Sequence, residues 1–209
     1  MARASHVISS TIACLLFLFD FALADVTLEV VDVQKGVFRV TYEIVDTTPH
    51  AESFLFPLIE GNEKQTGQGF FGEMEDVQLE KVRERNTEQE LKAEVVQILP
   101  HGKTHRQAPQ VKVYYVNPIP LGGNYKLSIR LLMKSRKLCY KDSYGRIVVK
   151  YITGHTAFVF LPPDHAPIYS NVPVLIYEKN RSTVLQTKDE LKEGGQRVLI
   201  FKMHPYACR

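Results

Sequence analysis

Strict alternation of apolar and polar residues constrains this chain more than any other feature. Phe38, Val40, Tyr42 and Ile44 alternate with Arg39, Thr41 and Glu43. Leu127, Ile129, Leu131 and Met133 alternate with Lys126, Ser128, Arg130 and Leu132. Ile147, Val149 and Tyr151 alternate with Arg146, Val148 and Lys150, and Val111, Val113 and Tyr115 repeat the pattern before Asn117-Pro118. Successive side chains of a strand point to opposite faces, so a period of two buries one face and wets the other. Shorter apolar runs at 26–33, 54–59, 157–161, 174–177 and 198–203 read as further strands.

Turn chemistry separates these runs. Gln34-Lys35-Gly36 closes a hairpin between the first two strands, and Val30-Val31 breaks the alternation as a bulge would. Pro100 to Lys103, Leu121-Gly122-Gly123-Asn124 and Ser143-Tyr144-Gly145 supply residues that tolerate positive φ. Pro162-Pro163 and Pro173 fall at strand ends. Thr87 to Glu90 fits a helix-capping box, but Lys92 to Leu99 also fits a strand pairing with Val111 to Val116, and the strand is the favoured reading. The expectation is an all-β, mainly antiparallel, immunoglobulin-like β-sandwich of about ten strands with little helix. Pro118 to Gly123 ahead of a strand, and later Phe160-Leu161-Pro162-Pro163, resemble immunoglobulin-like ectodomain modules; the resemblance implies the sandwich and assigns no functional residue.

The first 24 residues stand apart. Arg3 gives a positive start, Val7 to Phe19 is a short apolar stretch, and Ala22-Leu23-Ala24 is a small-residue exit before Asp25. That order is the grammar of a secretory signal peptide. Its unbroken apolar run, Ile12 to Phe19, is far shorter than the ~20 residues of a membrane span, and Asp20 follows directly. The expected organisation is a signal peptide over 1–24 and a single β-sandwich domain over 25–209, with room for two packed sub-sheets. The expected location is extracytoplasmic, periplasmic or secreted, with no transmembrane helix left after cleavage.

Cys139 and Cys208 remain beyond the leader, and in an oxidising compartment such a pair is expected to form a disulfide. Gly67-Gln68-Gly69-Phe70-Phe71-Gly72 matches a dinucleotide fingerprint in letters only. Polar residues precede it and Glu73 to Asp76 follow it, where a pyrophosphate needs a strand and a helix. It reads as a loop in which Phe70 and Phe71 are candidate anchors for a partner. His101 and His105 have zinc-ligand spacing but sit around a Pro-Gly turn. Asp164-His165 lacks a serine elbow. No catalytic residue, metal or cofactor is assigned. Asn180-Arg181-Ser182 is a glycosylation acceptor in a eukaryotic secretory pathway.

Charge patterning says most about function. Residues 73–94 hold eight acids and four bases, a net of −4; residues 126–150 hold eight bases and one acid, a net of +7. Alternation aligns Lys126, Arg130 and Lys134 on one strand and Arg146 and Lys150 on the next. Paired as a hairpin, the five would make a cationic face, capped by Arg136, Lys137 and Lys141. Such a face attracts an acidic protein or an anionic envelope component. The mild overall charge of +3 does not point to nucleic acid. The expected function is therefore non-enzymatic binding or scaffolding of a partner. A carrier of lipid or another apolar ligand, and a hydrolase built from Asp164, His165 and His155, are the alternatives.

Overall fold

A computed structural model describes residues 21–58, 75–96, 110–153, 156–187 and 197–205. The described residues form strands and turns, with no helix. In chain order the strands are β1 Phe21–Asp32, β2 Val37–Asp46, β3 Ser53–Pro57, β4 Asp76–Glu84, β5 Ala93–Val96, β6 Gln110–Tyr114 and β7 Tyr125–Lys134. They continue with β8 Cys139–Lys141, β9 Ile147–Thr153, β10 Thr156–Phe160, β11 His165–Ser170, β12 Val174–Lys179, β13 Ser182–Thr187 and β14 Arg197–Pro205.

Three sheets share one core. The largest has the order β12-β13-β10-β1-β2-β7-β4, the second β11-β14-β9-β8 and the third β3-β6-β5. The described pairings are antiparallel except that of β1 with β10. Phe38 and Leu131 of the first sheet, Phe201 of the second and Phe56 of the third are buried in a single apolar cluster. Tyr42 stitches the sheets together: its ring meets Phe56 edge-on at 4.7 Å, and its hydroxyl hydrogen-bonds that of Tyr151 on β9. The chain is an all-β sandwich, mostly antiparallel.

Alternation translates directly into burial. On β2 every second side chain from Phe38 to Asp46 is buried, and on β7 Leu127, Ile129, Leu131 and Met133 are inward while Lys126 and Arg130 are exposed. The β1–β2 hairpin closes at Gly36, and the register slips between Val30 and Asp32, as the broken alternation predicts. Thr87 opens no helix. It lies in a turn where the buried Glu84 carboxylate accepts from the Thr87 amide (2.6 Å), the Thr87 hydroxyl (2.7 Å) and the Asn86 amide (3.0 Å). Beyond it β5 pairs with β6, matching the strand reading of that segment.

Two expectations are corrected. β7 does not pair with β9: it lies between β2 and β4, whereas β9 lies between β14 and β8. The five aligned cations are thus divided between two sheets. Cys139 does not stand in the expected disulfide: it opens β8, pairs with Val149 and is fully buried as a free thiol. Its partner in the expected bridge, Cys208, lies outside the described residues, as do Phe70, Phe71, His101, His105 and His155. Burial, with help from the charge of Asp32, pushes the Cys139 thiol up to about 12. Thiolate is the reactive form. Folded protein is therefore expected to leave Cys139 unlabelled by iodoacetamide at pH 8, with labelling on addition of denaturant. Rapid labelling of the folded protein at Cys139 would contradict this burial.

Candidate anion-binding site

The turn that joins β7 to β8 is built by Ser135. Its hydroxyl accepts from the amides of Lys137 and Leu138, both at 3.3 Å, and its carbonyl accepts from Cys139 at 3.0 Å. Its own amide donates to Gly36 O on the first hairpin at 2.8 Å. Held in this way, the turn sends Leu138 and Cys139 into the core and leaves Arg136 and Lys137 exposed. The Lys150 amide donates to Leu138 O at 2.7 Å, which sets β9 beside the turn.

The β8–β9 hairpin is closed by Asp142. Its carboxylate accepts from the amides of Tyr144 and Arg146, each at 3.0 Å, and from Arg146 Nε at 2.7 Å. The Arg146 guanidinium holds this carboxyl below the usual range, and the turn amides add to the effect. Gly145 takes φ +74°, which glycine adopts without strain.

Four side chains line a shallow depression of about 300 Å³: Arg136 and Lys137 from the β7–β8 turn, Tyr140 from β8 and Lys150 from β9. The Lys150 ammonium lies 5.4 Å from the centre of the Tyr140 ring, within cation–π range. An adjoining hollow of about 260 Å³ shares Arg136 and Tyr140 and adds Gln34 and Lys141. The nearby acids are engaged by the backbone. Glu75 accepts from the Arg136 amide at 3.1 Å and pairs with Lys134 at 3.3 Å, and Asp32 accepts from the amides of Gln34 and Lys35. Among the described residues no carboxylate lies within ion-pair distance of the Arg136 or Lys150 side chains. Several cations around an aromatic floor can hold a carboxylate, phosphate or sulfate group by charge-assisted hydrogen bonds.

The five cations aligned by alternation have different fates. Lys126 and Arg130 are exposed on the outer face of the seven-stranded sheet. Arg130 is flanked by β4, and its charge helps to lower the carboxyl of Glu80, after the larger effect of Arg39. Lys134 pairs with Glu75. Arg146 is held by Asp142 and lies over the Tyr144 ring at 4.6 Å. Lys150 alone of the five reaches the depression. The acidic stretch answers two of them: β4 docks along β7, which sets Glu75, just ahead of β4, against Lys134 and brings Glu80 within the field of Arg130. Arg39 on β2 is held in a similar way, by Glu29 at 2.7 Å on the neighbouring β1 and by Glu80 at 2.7 Å on β4, reached across β7.

Other candidates are not brought together. His165 Nδ1 lies 2.8 Å from Pro163 O, and Asp164 sits in a turn at φ +60°. No group of three or more His, Cys, Asp or Glu that could hold a metal ion occurs among the described residues. Tyr140 escaped sequence reasoning because three residues of β8 are too few to show a period. The signal that could have found it is the Asp142-to-Gly145 turn, which requires a strand on either side.

Known proteins share this architecture at low identity. No family model matches the sequence, and no curated protein matches it. The fold is similar to part of yeast LTA4 hydrolase in complex with Bestatin, at TM-score 0.50 and 10% identity, covering 88% of this chain and 28% of that one. An M1 zinc metallopeptidase from Deinococcus radiodurans gives TM-score 0.48 and 11% identity, covering 87% of this chain and 42% of that one. The chain thus spans less than half the length of these structures. The likeness is one of fold.

Proposed function

We propose that this chain is an exported, non-enzymatic β-sandwich that binds an acidic protein or an anionic envelope component through the depression around Tyr140. The observation that carries the reading is the convergence of three cations on one hollow, Arg136 and Lys137 from the hydrogen-bonded β7–β8 turn and Lys150 from β9, whose amide is bonded to that turn. Turns pinned at both ends present charge at low entropic cost, which favours binding. Fields from exposed cations are screened within about 8 Å at physiological salt, so affinity should fall as salt rises. The test is binding to phosphatidylserine-containing vesicles and to polyglutamate across a salt series, with phosphatidylcholine vesicles as control. Salt-insensitive binding, or none, would count against the reading.

Export is supported by how the exit motif meets the fold. The parallel ladder of β1 with β10 starts at the Asp25–Thr156 pair, and the β1–β2 register is irregular between Leu23 and Asp25. Cleavage before Asp25 therefore keeps all five β1–β10 pairs and removes three from β1–β2, those of Phe21, Ala22 and Leu23. Mass determination of the exported protein is expected to place its N-terminus at Asp25. A mature species that still carries Arg3 to Ala24 would refute this.

A second reading is favoured by the apolar side chains exposed on β11, β12 and β14. Ile168, Tyr169, Leu175, Ile176 and Val198 are each 45–58% exposed. In that reading the sandwich docks on a larger protein through its apolar edge strand β12, which carries Leu175 and Ile176. Ile176→Glu would then abolish partner binding and leave the salt-sensitive anion binding intact.

A further inference from the structure

The structure assigns Asn180 as the acceptor of an N-linked glycan. Asn180-Arg181-Ser182 is the one N-x-S/T stretch in the 209 residues, with arginine in the middle where only proline is barred. The fold places it at the tip of the β12–β13 hairpin. Lys179 pairs with Ser182, so Asn180 and Arg181 are the whole two-residue loop. Their φ values of +52° and +64° are the pair of left-handed conformations that a type I′ turn requires. Asparagine accepts that conformation readily. Both residues are exposed, and the acceptor amide stands beyond the last rung of the ladder.

The position has a physical consequence. β12 is the edge strand of the seven-stranded sheet, and Leu175 and Ile176 on it are 45% and 58% exposed. An apolar edge strand is a template for a second chain, and proteins block such edges. A bulky hydrated glycan at the hairpin tip blocks that approach without altering any strand residue.

The assignment rests on the export reading, and the test separates the two. The full chain is expressed in animal cells, and medium and cytosol are collected. The secreted protein is expected to lose mass on treatment with peptide N-glycosidase, with Asn180 converted to aspartate in its peptide. Ser182→Ala should abolish the shift, and Ser182→Thr should keep it. Secreted protein with an unmodified Asn180 peptide overturns the assignment while export stands. Protein retained in the cytosol with Met1 to Ala24 attached overturns both. Light scattering then reads the shielding role. The enzymatically deglycosylated protein is expected to associate several-fold more than the glycosylated form, and equal association would refute that role.

Discussion

Replacing Gly36 with alanine is expected to lower stability by about 3 kcal/mol and to weaken anion binding in the same variant. Two penalties combine. Gly36 has φ +69°, and a residue with a Cβ in the left-handed region costs roughly 1–2 kcal/mol. The new Cβ would also sit 2.7 Å from the carbonyl carbon and oxygen of Ser135 and 2.8 Å from the Arg136 amide nitrogen. Those are backbone atoms, so no rotamer relieves the clash, and forced overpacking adds roughly 1–3 kcal/mol. For a chain of this size, 3 kcal/mol lowers Tm by about 6–12 °C. The clash falls on the turn that carries Arg136, which is why binding should suffer in the fraction that stays folded. Gly145→Ala is the control. Its φ is +74° but its Cβ would meet nothing within 4 Å, so only the backbone penalty applies. Equal thermal shifts for the two variants would contradict the close approach of the β1–β2 hairpin to the β7–β8 turn.

Replacing Arg136, Lys137 and Lys150 together with glutamine is expected to weaken binding to anionic vesicles on the order of 100-fold. Each cation near an anionic surface contributes about 1 kcal/mol, and about 3 kcal/mol corresponds to that ratio. The companion variant replaces Lys126, Arg130 and Lys134 with glutamine. Lys134 pairs with Glu75, Arg130 acts on Glu80, and all three lie on a different sheet from Lys150, so binding should change by less than about fivefold, the scale of exposed ion pairs. Melting temperature, measured alongside, separates lost binding from lost fold. Should the β7 variant lose binding as steeply as the other, the cationic outer face would be the site and the depression would not.

The face each side chain takes, and the tightest turns, were legible in the sequence. Alternation marks the inward residues of β2, β6 and β7 because the strand repeat is a property of the backbone itself. Gly36, Gly122 and Gly145 mark turns because a positive φ is a local requirement, whereas the close approach of Ser135 to Gly36 is not visible in the sequence. β4, β8, β11 and β13 were not legible: β8 is too short for a period, and β11 carries an exposed pair, Ile168 and Tyr169, that breaks it.

Neighbours were decided by tertiary structure alone. Alternation says which side of a sheet a residue occupies and nothing about which strand lies beside it. The parallel pairing of β1 with β10 and the insertion of β7 between β2 and β4 join segments far apart in the chain. Ion pairs depend on those neighbours. Lys134 meets Glu75, and Arg39 meets Glu80, only because β4 packs against β7. Placing β7 and β9 in different sheets divided the expected cationic face, and the site is left to a turn and two strands, whose Arg136, Lys137, Tyr140 and Lys150 converge only when β8 folds back on β9.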